Sequence, residues 1–241
     1  QQIIAIIIFV VTMAAIMTEK VHRALAAVTG ATLLLACKIL DVESLASYID
    51  FNTVGILIGM MLFVSVVKIS GLFEYIAIKA AKLSKGKPWI IMILFFIITA
   101  VLSAFLDNVT TVLLVGPMTI AVTEMLGLNP VPFLITQILA SNIGGTATLI
   151  GDPPNIMIGS AAKLSFNDFI VNTGLPAVII GILTLFCFYF IYGRKLHVTP
   201  EKMAAVMELD ENKAIKDKVL LIQSVVVMIC VVVAFMLHDA L

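Results

Sequence analysis

Seven stretches of this chain are nearly free of charge, and each is close to the length needed to cross hydrocarbon. They are residues 2–17, 24–40, 51–67, 89–106, 109–125, 173–193 and 219–237, against the roughly 20 residues that a spanning helix requires. One such run could be a cleaved signal peptide; seven cannot. Charged residues make up only 12% of the chain, about half of the roughly 25% of a soluble domain, so there is too little polar surface to cover a soluble core. The chain is expected to be an all-α membrane protein residing in the lipid bilayer. Formal net charge is zero, which gives no footing for a nucleic-acid partner. Cys37, Cys187 and Cys230 lie inside apolar runs with no pairing or metal spacing and read as small core residues. His22, His197 and His238 stand near segment ends and read as interfacial residues.

Flanking Lys and Arg stay on the cytoplasmic side, and their placement fixes a topology. Lys20 and Arg23 follow the first run; Lys79, Lys82, Lys85 and Lys87 follow the third. The 194–218 loop carries Arg194, Lys195, Lys202, Lys213, Lys216 and Lys218. Between the second and third runs lie Asp41, Glu43 and Asp50 with no basic residue, and Lys163 stands alone before the 173–193 run. An outside N-terminus and three crossings come first. A re-entrant hairpin at about 89–125 then opens from the inside, with Asp107-Asn108 at its tip. Two further crossings, at 131–162 and 173–193, bring the 194–218 loop back inside. In the connecting loops that arrangement leaves twelve basic residues inside and only Lys163 outside, with Lys38 and Lys68 near span ends. Two full spans in place of the hairpin satisfy the same charges, but the two-residue link between them is cramped.

Five crossings before the 194–218 loop mean that any copy starting at 219 enters from the opposite side. The expectation is therefore an inverted-repeat plan. Residues 1–193 form the first membrane repeat, 194–218 a cytoplasmic linker, and 219–241 the first helix of a second repeat continued elsewhere. The alternating charges of 194–218 read as a solvated, partly helical linker. Residues 73–83 read as an amphipathic stretch lying at the cytoplasmic surface.

Two polar interruptions at membrane depth are where a transported solute would bind. The first holds Ser103, Asp107, Asn108, Thr110 and Thr111 within an apolar run of nearly forty residues. Leaving Asp107 charged in hydrocarbon costs about 3 kcal/mol or more, so it must face water, a partner or an ion. Oxygen donors of this kind suit a hard cation, and the helix leaving the tip offers its positive end. Capping that helix is the structural alternative for Asp107. The second interruption is Ser141-Asn142-Ile143-Gly144-Gly145-Thr146-Ala147-Thr148, continuing through Gly151-Asp152-Pro153-Pro154-Asn155, in the middle of the 131–162 crossing. Paired glycines and prolines there predict a broken helix with free carbonyls and amides; close packing and a simple kink are the alternatives. No strand precedes the glycines, so a dinucleotide loop does not fit. The glycosylation sequon at Asn108 lies too deep to be reached. Nothing in the chain forms a nucleophile–base or metal constellation, so no enzyme and no resident cofactor are expected.

The pairing of Leu106-Asp107-Asn108-Val109-Thr110-Thr111 with the stretch from Asn142 to Asn155 resembles the ion transporter superfamily. It is most similar to the branch of bacterial arsenite pumps, sodium/proton antiporters and the melanosomal P protein, with the sodium/dicarboxylate and citrate transporters more distant. The resemblance implies ion-coupled secondary transport by an elevator-like movement, usually in a homodimer, with sodium or a proton as coupling ion and a small inorganic or organic ion as substrate. In the dicarboxylate branch a Ser-Asn-Thr tip binds sodium with a glycine of the broken helix. By position this implies a sodium site at Ser103, Asp107, Asn108 and Gly151. Here Asp107 replaces that serine and Val109 the threonine, and Asp152 precedes the prolines, so added negative charge favours a cation or proton. Asp107 is the expected carrier of that charge. A sodium-coupled di- or tricarboxylate symporter and an anion channel on the same fold are the alternative functions.

Overall fold

The structure is a computed structural model that describes residues 1–237, the side chains of 44–46 apart. His238 and the end of the 219–241 segment lie outside the described residues. Two compact units are present, Gln1–Phe51 and Asn52–Leu241.

In the first unit, α1 (Gln2–Met17) and α2 (Arg23–Ala36) are followed by the short α3 (Val42–Leu45). Gly30 is buried against the side chain of Thr12, so α2 packs on α1 at the one place with no side chain to hold them apart. α2 stops sooner than the apolar run suggested, because Lys38 turns into the left-handed region at φ 53°.

The second unit holds the polar interruptions. Its helices are α4 (Phe51–Ile69), α5 (Leu72–Leu83), α6 (Pro88–Ser103), α7 (Asn108–Met125), α8 (Val131–Thr146) and α9 (Pro153–Ala162). They are followed by α10 (Phe166–Phe169), a π-helical turn at Ile170–Gly174, α11 (Leu175–Ile191), α12 (Pro200–Met207) and α13 (Lys218–Leu237). One core gathers Ala77, Ile91, Phe95, Val122, Phe133 and Val206; another gathers Val67, Phe73 and Leu106. α6 and α7 form a tight pair joined only by Ala104–Asp107, and α8 packs against both.

Among the described residues, four helical stretches are long and apolar enough to cross a membrane: Phe51–Ile69, Asn108–Met125, Phe166–Lys195 and Lys218–Leu237. Gln2–Met17, Arg23–Ala36 and Pro88–Ser103 are apolar but shorter. α11 and α13 turn Val178, Ile182, Phe186, Ile222, Val226 and Val233 outward. Apolar surface of that extent is at rest against lipid and not against water. The protein is a multi-pass membrane protein.

Three expectations change. Cys37, Cys187 and Cys230 are exposed instead of lying in the core, because helices that are apolar all round have no unique inward face. The 194–218 linker is not simply solvated: Val206 is fully buried on α5. α5 is likewise covered, with Leu72, Phe73, Ala77, Ile78, Ala80 and Ala81 all buried.

Candidate functional site

Two helix starts meet where the sequence has its polar interruptions. α7 starts after Asp107 and α9 after Asp152, each aspartate in the extended N-cap conformation. The two carboxylates are used differently. Asp107 accepts from the backbone N–H groups of Val109 (2.9 Å) and Thr110 (3.1 Å) and from the Thr110 hydroxyl, so it caps its own helix. Asp152 makes no side-chain cap. Its Oδ2 instead accepts from Asn108 Nδ2 at 3.1 Å, across from one interruption to the other.

Asn108 is the hub. Its Oδ1 lies 2.6 Å from the Ser103 hydroxyl, and its Nδ2 also donates to Asn142 Oδ1 at 3.3 Å. The Ser103 hydroxyl is 2.8 Å from the Ser141 carbonyl as well, so its single proton has two acceptors. Asn155 Nδ2 donates to the carbonyls of Gly145 (3.0 Å) and Thr148 (2.9 Å), and the Thr148 hydroxyl donates to the Ala104 carbonyl at the hairpin tip. The loop Ala147–Asp152 is thereby laced to the tip from both ends.

Glycine is required where these backbones touch. A Cβ at Gly151 would stand 2.5 Å from the Gly145 carbonyl and 2.8 Å from that of Ser103, and one at Gly145 would meet Asn108 Oδ1. Ser103 O, Gly145 O, Gly151 O and Asn108 Oδ1 therefore crowd one small region, with the Asp152 carboxylate beside it. These are hard oxygen donors of the kind that replace water around a small cation. Among the described residues no three His, Cys, Asp or Glu side chains come together, so a cation here would rest on amides and carbonyls.

Ser103, Asn108, Asn142, Gly145, Gly151, Asp152 and Asn155 are brought together. Thr110 and Thr111 serve the α7 start, Thr111 donating to the Asp107 carbonyl at 2.9 Å. Thr146 donates to the Asn142 carbonyl at 2.7 Å, and Pro153 opens α9. The expectation that Gly144-Gly145 unwinds the helix is corrected: α8 runs through both to Thr146, and the break is Ala147–Asp152. Gly144 packs directly on the Ala100 backbone of α6, so the pair serves close approach, and Pro153 tolerates a helix because it sits in its first turn.

Sequence reasoning placed Thr148 in the second interruption without giving it a role, and missed Asn172 and Thr173. These last two lie in the π turn and line a cavity of about 290 Å³ with Asn142 and Thr146. A second cavity, of about 400 Å³ behind the tip, is walled by Ala100, Ala104, Gly144, Ala177 and Gly181 and is apolar, which makes it unsuited to an ion.

The family described as "Citrate transporter" matches residues 13–241 of this chain. The chain belongs to the citrate transporter family. It is 43% identical to a "46 kDa membrane protein" of Mycobacterium leprae (strain TN) over 99% of the chain and 57% of that protein. An uncharacterized transporter of Mycobacterium tuberculosis (strain ATCC 25618 / H37Rv) is 42% identical over 99% of the chain and 56% of its own length. The P protein of Homo sapiens is 42% identical over 76% of the chain and 23% of that protein. The chain thus spans a little over half the length of its mycobacterial relatives. The superfamily resemblance read from the two motifs holds, including its P protein branch, and the family is one of transporters and not of enzymes.

Proposed function

We propose that this chain carries one half of the site of an ion-coupled secondary active transporter. The observation that carries the reading is the Asn108 amide, which joins a hairpin tip to a broken helix through Asn142 and Asp152. Two broken elements meeting at one polar cluster are what a site accessible alternately from either side requires. A continuous pore has no use for them. In this reading α6–α7 is the re-entrant hairpin, α8–α9 the broken crossing, and the repeat is inverted. Elevator-like motion and a homodimer follow from the superfamily resemblance.

Roles are assigned by what each group is free to do. The coupling ion, sodium or a proton, goes to the Ser103–Asn108–Gly145–Gly151 oxygens beside Asp152. The transported solute occupies the neighbouring cavity, held by the amides of Asn142 and Asn172. Asp107, expected to carry charge, instead holds the tip in shape, and Asp152 takes the charged role. Sodium/proton exchange suits the added carboxylates, and efflux of arsenite or another small anion follows from the superfamily resemblance. The family description favours a second reading, sodium-coupled uptake of a di- or tricarboxylate such as citrate.

The test uses the whole protein in liposomes loaded with a pH dye, with sodium, arsenite and citrate added in turn. Proton movement driven by one of them, and lost in Asp152→Asn, supports antiport. Sodium-stimulated uptake of labelled citrate without proton movement selects symport. Conductance with no trans-side stimulation of exchange would overturn secondary transport in favour of a channel.

A further inference from the structure

The segment from Thr199 to Asp217 lies along α5 in a defined register. Its numbers fall as those of α5 rise. The Lys216 N–H donates to the Ser70 carbonyl at 3.1 Å, and Lys216 Nζ stands 4.0 Å from Glu74 in the first turn of α5. Glu211 pairs with Lys82 in the last turn at 2.5 Å. Beyond the end of α5, Met203 lies against Gly86. Between these points Val206 is fully buried in the core that includes Ala77, Ala80 and Ala81, with Leu209 packed beside it.

Three turns share a further feature. The α4–α5, α5–α6 and α7–α8 connections each contain a glycine with positive φ: Gly71 (82°), Gly86 (70°) and Gly127 (67°). All three face this one segment. A Cβ on Gly71 would strike the Ala214 carbonyl, one on Gly86 would lie 2.7 Å from Met203 Cα, and one on Gly127 would strike the Lys202 ammonium. Left-handed backbone accounts for glycine at each turn. It does not account for the same segment passing over all three.

Charge sets the direction of docking. Glu74 and Lys82 stand at opposite ends of α5, and each meets the opposite sign. Running the segment the other way along the helix would place like charges together, which disfavours that register.

We propose that residues 199–217 are a strap that stays docked, binding α5 and the ends of α6, α7 and α8 into one unit and setting where α13 begins. An undocked flexible linker of about 20 residues would let its ends wander over roughly 25 Å. With Lys216 bonded to Ser70, the start of α13 is registered against the α4–α5 turn instead. Because α6, α7 and α8 also carry Ser103, Asn108 and Asn142, any movement of the polar site carries the strapped unit with it.

Trypsin digestion of the whole protein in detergent reads the strap without reference to transport, through cleavage at Lys202, Lys213 and Lys216. The wild type resists. Gly86→Val and Lys82→Glu each raise the cleavage rate at least tenfold, and adding Glu211→Lys to Lys82→Glu restores resistance. Wild-type cleavage as fast as that of a variant in which every residue of 199–217 except Lys202, Lys213 and Lys216 is Gly or Ser, or no rescue by the charge swap, overturns the proposal. The second arm is a Lys82→Cys/Glu211→Cys pair with Cys37, Cys187 and Cys230 replaced by alanine. The disulfide forms on oxidation, and transport in liposomes stays within twofold of the reduced protein. A disulfide that forms and stops transport overturns permanent docking. Absence of transport before oxidation counts against the transporter reading alone, since digestion still decides the strap.

Discussion

Asn108 Nδ2 donates to Asp152 Oδ2 across 3.1 Å, so the N-terminal residue of one helix holds the N-cap residue of another. Asp152 is thereby turned away from its own helix and toward the place where the hairpin tip and the break in α8–α9 meet. A hydrogen bond to a charged group contributes about 1.5–3 kcal/mol. Asp152→Asn removes the charge while keeping the shape, and transport rate in liposomes is expected to fall ten- to a hundredfold with little change in Tm. Wild-type transport by this variant would remove Asp152 from the site.

Asp107 separates charge from shape in the opposite way. Asparagine caps a helix about as well as aspartate, whereas alanine costs about 1 kcal/mol. Asp107→Asn is therefore expected to keep both stability and transport, while Asp107→Ala lowers Tm and transport together. Loss of proton or sodium coupling in Asp107→Asn with Tm intact would return the carrier role to Asp107.

The glycines divide by what stands opposite them. Gly144→Ala places a methyl on the Ala100 backbone, and forcing α6 and α8 apart costs about 1–3 kcal/mol. Gly59→Ala meets nothing within 4 Å and is expected to be neutral or stabilising by up to about 1 kcal/mol, from helix propensity. Thermal melts of the two variants in detergent check the contrast.

The strap has its own acid limit. The hydrogen bond from Lys82 holds the Glu211 carboxyl below the usual carboxylate range. A depressed value means that the attachment is fully present above the ordinary carboxylate range and is lost as pH falls through the lowered one. Strap protection is expected to be constant from pH 8 down to about pH 5 and to weaken only in stronger acid. Glu211→Gln abolishes the pH dependence. Digestion with an acid-active protease along a pH series reads this directly.

Much of this architecture was legible in the residues. The apolar runs gave the helices, and Asp107-Asn108 and Gly151-Asp152-Pro153 marked the two places where polar groups had to find one another. What could not be read was which carboxylate does what, because N-capping and bridging use the same residue type and differ only in the partner presented. The Gly144-Gly145 pair misled for a related reason: glycine weakens an isolated helix, but here a neighbouring backbone fills the space its side chain would occupy. The strap was hidden by its alternating charges, which look the same in water as against α5; Val206 alone carried the hint. Asn172 gave no signal, since a single amide near the end of an apolar helix has no spacing to interpret.

Asn172 belongs to the π turn at Ile170–Gly174, which inserts in effect one residue into an otherwise regular rod. An extra residue swings everything beyond it by about 100° around the axis. Phe166, ahead of the turn, stacks on Phe235 of α13 at 5.9 Å, while Gly181, beyond it, faces Phe96 and Ile143. One continuous stretch thus presents two differently aimed faces, and the turn is the angular offset between them. Deleting a single residue from 170–174 would leave composition and length almost untouched, yet would rotate Gly181 off the helix it was cut to fit.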